Sequence, residues 1–346
     1  MNLLVLGSGK MALDVGSYFL ARGHAVTWRT GSAARRDDIA RRVATAARRA
    51  ARALGIPPDR VPARAEPPDA NDLFRPDVVI ETTREDVEAK REAFRRIAPR
   101  LAAGTLLLSN SSSILPGEIV SGCAGMHFFF PAELTGLVEI IFPDGFPAER
   151  AEAVRRLARD AGLSFIEQDE RTAFAVNRLL VPLQAEVMRA LTEGTPPAVA
   201  DARAVSDLLP RGPLRFMDAV GLDVIADAAA RYVARMPEAD ARDVRVLPES
   251  LALVVARGKL GDKNGSGLLS GDPLPWPARE PRPGEADALR ARLRGVFLAT
   301  CRRFLDDGDL DRRALDLVLR VILGAEVSFD EAMATDARAA GQRVTA

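Results

Sequence analysis

The first thirty residues constrain the fold more than any other stretch. Asn2 to Leu6 is a short apolar run that leads straight into Gly7-Ser8-Gly9-Lys10-Met11-Ala12. A helix-like stretch follows to Ala21, and a second apolar run occupies Ala25 to Trp28. Strand, glycine turn, helix and strand in that order form the context in which a glycine pattern reads as a dinucleotide-binding unit. Gly7 would permit the tight turn, Gly9 would let the backbone approach a pyrophosphate, and Ala12 takes the position of a third small residue that lets the helix pack closely. The anion would rest on the helix N-terminus beside Lys10 and Met11. The competing reading is a glycine turn that holds no ligand.

The end of the second strand bears on which dinucleotide would bind. NAD-binding units usually place a carboxylate there, about 20 residues after the glycines, to bond the ribose 2′-hydroxyl. Here the strand ends Trp28-Arg29-Thr30, and Arg29, Ser32, Arg35 and Arg36 could instead accommodate a 2′-phosphate. NAD and NADP both stay open. The arginines from 35 to 52 also have a plain reading: alternating with alanines, they suit the solvated face of an amphipathic helix.

From Ile56 to Pro76 the chain is rich in proline and reads as a surface connection. Asp77 to Glu81 is a strand, Thr82 to Glu85 a loop, and Asp86 to Pro99 a helix. Glu85 and Lys90 flank the start of that helix, where a strand-end loop would face the nicotinamide ribose, although both could be ordinary helix-surface charges. Thr105 to Leu108 is a buried strand that delivers Ser109-Asn110-Ser111-Ser112-Ser113 at its carboxyl end, the edge where open α/β sheets bind ligands. His127 follows within Met126-His127-Phe128-Phe129-Phe130-Pro131, with a second apolar strand expected to begin immediately after it. Glu139 lies inside the apolar run Leu137 to Ile141, where burial without a partner would be costly. An imidazole is the obvious partner, and a histidine held by a carboxylate is equipped for proton transfer. The bland alternative is a satisfied core histidine and a strand-end surface glutamate. A helix from Ala148 to Ala161 and a strand from Ser164 to Glu167 close a dinucleotide-binding domain over residues 1–170.

The remainder is almost wholly helical. Phe174 to Glu193 is a long helix, and another begins at Leu214 after Arg211-Gly212-Pro213. Asn177 to Gly194 aligns without gaps on Ala291 to Gly308, which suggests a weak internal repeat of helical units. The expected division is a helical domain over 171–272, a proline-dense linker from Gly271 to Gly284, and a second helical repeat over 285–346. The apolar helix faces of Phe174 to Leu191 and Leu315 to Leu323 are candidates for a homodimer surface, with a monomer as the alternative.

Composition narrows the partners. Basic and acidic residues balance at 48 each, so the overall charge does not argue for a nucleic-acid partner. Cys123 and Cys301 lack metal-ligand spacing, so no metal site is expected. No apolar run reaches the roughly 18 residues that span a bilayer. The expectation is a cytoplasmic protein with no membrane segment.

These motifs converge. The chain resembles the L-3-hydroxyacyl-CoA dehydrogenases over nearly its whole length. The resemblance is carried by the glycine turn with Met11, the Glu85 to Lys90 spacing, Ser109-Asn110-Ser111-Ser112, Met126-His127-Phe128-Phe129, Leu137-Val138-Glu139, Phe174-Ala175-Val176-Asn177-Arg178, Gly212-Pro213 with Asp218, and Gly258-Lys259-Leu260-Gly261. The two helical units are similar to the dehydrogenase half of the bacterial β-oxidation multifunctional α-subunit. The resemblance implies a Rossmann-type domain followed by an all-α domain, NAD as cofactor, and an acyl-CoA or other acyl thioester as substrate. It implies that His127 is the general base, Glu139 its orienting partner, and Ser112 and Asn177 the groups around the substrate hydroxyl. It also implies that Glu85, Lys90 and Asn110 contact the nicotinamide half of the cofactor. Several residues depart from the family pattern. Thr30 replaces an aspartate, Phe130 an asparagine, Thr172-Ala173 a Pro-Gly, and Leu268-Leu269 an aromatic ending. Two readings compete with hydroxyacyl-CoA oxidation: an NADP-dependent reductase of a related thioester or hydroxy acid in biosynthesis, and a non-catalytic nucleotide-binding subunit.

Overall fold

A computed structural model describes residues 1–57, 75–202 and 212–323. The chain divides into two compact units, Met1–Ala173 and Phe174–Ala346. The connection expected from Ile56 to Pro76 and the end of the expected second repeat lie largely outside the described residues.

The first unit is built in the order β1 (Asn2–Leu6), α1 (Lys10–Ala21), β2 (Ala25–Arg29), α2 (Ala33–Ala53), β3 (Val78–Glu81), α3 (Val87–Ile97), β4 (Leu106–Ser109), α4 (Pro116–Ile119), β5 (Cys123–Phe128), α5 (Ala132–Thr135), β6 (Leu137–Phe142), α6 (Ala148–Asp160) and β7 (Ser164–Asp169). Its seven strands form one sheet in the order β2-β1-β3-β4-β5-β6-β7. β1 to β5 run parallel, and β6 turns back antiparallel to β5 with β7 parallel beside it. This is a Rossmann-type sheet, and its parallel part gathers the carboxyl ends of five strands along one edge.

Local chemistry sets the helix ends. Ser32 caps α2 by accepting the Arg35 amide, and Asp86 caps α3 by accepting the Ala89 amide at 2.8 Å. α2 turns Ile39, Val43, Ala46, Ala47 and Ala50 inward, as its arginine and alanine pattern predicts.

Alternation along the strands assigns each residue to a face. Leu3, Val5, Val78, Ile80, Leu106, Leu108, Met126, Phe128, Val138 and Ile140 face one large core shared with α1, α2 and α6. Leu4, Leu6 and Val79 face a smaller core with Phe94, Ile97, Ile114 and Ile119. Glu81, Ser109, His127 and Glu139 have the parity of that second face. These four polar residues therefore share one side.

One sequence expectation is corrected here. No strand begins immediately after His127; His127 is itself the penultimate residue of β5. The apolar run Phe128 to Phe130 imitates a strand start, whereas the true strand is disguised by glycine. Gly125 is needed because a Cβ there would lie 2.9 Å from the Ile141 side chain on β6.

The second unit contains α7 (Ala175–Thr192), α8 (Pro197–Ala202), α9 (Pro213–Val220), α10 (Leu222–Arg235), α11 (Glu238–Val244), α12 (Val246–Val255), α13 (Glu285–Asp306) and α14 (Arg312–Leu323). Residues 271–284 hold no helix. α7 is apolar almost all round, with Leu179, Leu183, Val187 and Met188 buried, and it packs against α12 and α13. Leu315, Val318 and Leu319, like these α7 residues, are buried within the chain. No helix among the described residues is long and apolar enough to cross a membrane.

Candidate active site

The parallel edge of the sheet begins at the glycine turn. Gly7 has φ +136, and a Cβ there would lie 2.6 Å from Thr82 Oγ1, so only glycine fits between β1 and the loop after β3. Gly9 stands at the N-cap of α1 with no side-chain cap, and a Cβ added there meets nothing within 4 Å. The uncapped amides of α1 thus open onto free space, which fits a dinucleotide pyrophosphate. Lys10 is exposed at this turn, with its Nζ 3.4 Å from the centroid of the Phe130 ring. Met11 packs against the large core. Close packing of α1 on β2 depends on a residue that the sequence reading missed. A Cβ on Gly16 would lie 2.2 Å from the Trp28 ring, while Trp28 Nε1 donates to the Ala12 carbonyl at 2.8 Å. A glycine one turn beyond Ala12 in the helix was the available signal.

At the end of β2 the Thr30 hydroxyl donates to the Ser32 carbonyl at 2.8 Å, and Arg35 Nη1 lies 3.4 Å from Ser8 Oγ in the glycine turn. Arg29 is half-buried; burial lowers its pKa, and the neighbouring Arg100 and Arg96 add to that. No carboxylate stands in the stretch Trp28 to Ser32.

The loops after β3 and β4 are joined by a buried ionic cluster. Lys90 is 1% exposed, and its Nζ lies 3.0 Å from Glu81 Oε2 and 3.2 Å from Glu85 Oε2. It is therefore no surface charge. Glu85 Oε1 accepts the amides of Ser112 and Ser113 at 3.0 and 2.9 Å and the hydroxyls of Ser111 and Ser113 at 2.6 and 2.8 Å. Burial alone would raise the Glu85 pKa. The Lys90 ammonium and the two hydroxyls outweigh it and hold the group at about 2. Asn110 Oδ1 accepts the Phe128 amide at 2.8 Å, tying the end of β4 to the residue after His127.

His127 and Glu139 are direct partners in the antiparallel register of β5 and β6. His127 Nδ1 lies 2.7 Å from Glu139 Oε2, and Glu139 is 0% exposed. A carboxylate oxygen at this distance accepts from a protonated Nδ1. The Phe129 ring packs edge-on to the imidazole, with centroids 4.7 Å apart. In the second unit, Asn177 lies in the first turn of α7. That helix begins at Phe174, the one non-glycine residue with positive φ among the described residues.

A glycine turn that fits a dinucleotide, on the same sheet edge as a carboxylate-held histidine, is the arrangement of a Rossmann-class oxidoreductase. Residues 2–170 match the NAD binding domain of 3-hydroxyacyl-CoA dehydrogenase, and residues 174–270 match its C-terminal domain. The chain belongs to the 3-hydroxyacyl-CoA dehydrogenase family, and NAD is the cofactor of that family domain. Among solved structures it is similar to 3-hydroxybutyryl-CoA dehydrogenase from Escherichia coli K12, with TM-score 0.74, 21% identity, and coverage of 94% of this chain and 89% of that one. M. tuberculosis FadB2 gives TM-score 0.66 and 28% identity over 77% of this chain and 97% of that one. (S)-3-Hydroxybutyryl-CoA dehydrogenase from Ralstonia eutropha gives TM-score 0.67 and 24% identity over 81% and 99%.

Proposed function

We propose that this chain interconverts an L-3-hydroxyacyl-CoA and the 3-oxoacyl-CoA, with His127 as the proton-transferring base. The observation that supports it is the 2.7 Å contact between His127 Nδ1 and the fully buried Glu139. When bound, the nicotinamide accepts or delivers the hydride at C3. In the oxidising direction a neutral His127 takes the proton of the 3-hydroxyl at Nε2; in the reducing direction the imidazolium returns it. Glu139 stabilises the imidazolium and aims the ring. Ser112 and Asn177 hold the substrate oxygen and the thioester, a positioning contribution. Gly7, Gly9, Lys10 and Met11 would cradle the pyrophosphate. Arg29 and Thr30 would meet the adenosine ribose, and Glu85, Lys90 and Asn110 would shape the nicotinamide side.

The domain assignment follows the same reading: residues 1–170 bind the dinucleotide, 171–272 serve the substrate, and 285–346 repeat the helical unit.

The test is NADH oxidation by the purified chain on addition of acetoacetyl-CoA, repeated with His127→Gln. Turnover by the parent and its loss in a variant that still binds NADH is the expected result. Equal turnover by the two proteins would overturn the assignment of His127. A second reading, an NADP-linked reductase of a related thioester, is supported by Thr30 at the ribose position and by Arg35 beside Ser8.

A further inference from the structure

Glu81 is a fully buried carboxylate at the end of β3 to which the proposed reaction gives no part. It makes more polar contacts than a strand end requires. Oε2 accepts the Ser109 hydroxyl at 2.7 Å and Lys90 Nζ at 3.0 Å, and Oε1 accepts the amide and hydroxyl of Thr83 and Lys90 Nζ at 3.2 Å. Glu81 thereby fastens the loop after β3 to the turn after β4.

Two routes run from it to the turn Ser111 to Ser113. In one, Lys90 bridges Glu81 to Glu85, and Glu85 Oε1 gathers the Ser112 and Ser113 amides. In the other, Ser109 donates to Glu81 while its oxygen accepts the Ser111 amide at 3.2 Å. Both routes end on the same three-residue turn. The buried ammonium ties the two carboxylates together, because without it both would be left as buried charges lacking their shared counter-ion. An exposed ion pair could not hold the turn so firmly.

We propose that Glu81 is a positioning residue for the reaction, acting through Lys90, Glu85 and Ser109 to hold the Ser112 hydroxyl at the substrate oxygen. Glu85 on this view serves the serine turn through Oε1 more than it serves the cofactor. The proposal rests on the role given above to Ser112.

The experiment is a double-mutant cycle on the full chain: Glu81→Gln, Ser112→Ala and the pair, each measured for kcat with acetoacetyl-CoA and for NADH affinity by fluorescence titration. Glu81→Gln is expected to lower kcat by roughly 10- to 100-fold, the scale of a misplaced reacting group. Its NADH dissociation constant should move less than about 3-fold, and in the Ser112→Ala background it should change kcat by no more than about 2-fold, since residues acting as one unit are not additive. Losses that multiply in the double variant, or NADH affinity falling in step with turnover, would overturn the proposal and leave the reaction standing. Unchanged turnover in Ser112→Ala would remove the role of Ser112 and the proposal with it. Should Glu81→Gln lose its circular dichroism signature, Ser109→Ala replaces it. That variant severs the direct route alone, with the same expected pattern at smaller amplitude and the same overturning results.

Discussion

Glu139 stands directly opposite His127 across the β5 and β6 pair, and its Oε2 meets Nδ1 at 2.7 Å. The pairing fixes the partner by backbone register rather than by a mobile loop. Because β6 is the strand that reverses direction, the reversal itself brings a carboxylate to the imidazole.

Replacing that carboxylate should slow chemistry without releasing the cofactor. Glu139→Gln is expected to lower kcat by at least about 10-fold, as weakened imidazolium stabilisation requires, while NADH affinity stays within about 2-fold. Steady-state turnover with acetoacetyl-CoA and a fluorescence titration decide it; parent-like turnover would show that Glu139 is only structural.

Thr30 occupies the place of the ribose-binding carboxylate, with Arg35 close to the glycine turn. Thr30→Asp should bond the 2′-hydroxyl and repel a 2′-phosphate. The ratio of NADH to NADPH affinity should then rise by roughly 10-fold or more. An unchanged ratio would mean that the adenosine ribose does not approach residue 30.

Glu85 has a native pKa of about 2 against 4.5 for the free group. A depressed carboxylate stabilises the folded state fully above pH 4.5 and loses that contribution as pH falls from 4.5 toward 2, on the order of 3 kcal/mol in all. Urea midpoints across that window should fall steeply for the parent and less steeply for Glu85→Gln. Parallel curves would count against the ionised cluster.

Asp14 has the opposite sign. Buried on α1 and near Glu133, its pKa is raised to about 6 despite the Ala132 amide and the shared Arg49. Its favourable share is present below pH 3.8 and is lost as pH rises through 6. The melting temperature of the parent should therefore drop between pH 5 and 7 relative to Asp14→Asn, by roughly 5 °C. A constant difference between the two curves would refute the shift.

The glycine turn was legible because strand, turn and helix signals lie next to one another in the chain. The pairing of His127 with Glu139 was legible because a lone acid in an apolar run needs a partner. The strand that carries His127 was not, since Gly125 is required by a neighbour 16 residues away and weakens the local strand signal. Lys90 looked like a helix-surface charge because periodicity does not reveal that Glu81, on another element, lies beneath it. The shared face of Glu81, Ser109, His127 and Glu139 emerges only once each strand's phase is fixed by its neighbours.

Only four of the 48 basic residues are lysine: Lys10, Lys90, Lys259 and Lys263. Lys90 and Lys259 are buried, whereas Lys10 and Lys263 are exposed. Among the described lysines, an amine-acylating reagent therefore finds two ready targets, one beside the glycine turn and one on the helical unit. Peptide mass spectrometry of the acylated protein would read dinucleotide occupancy as protection of Lys10, with Lys263 as the internal standard, so the native chain carries its own footprinting pair.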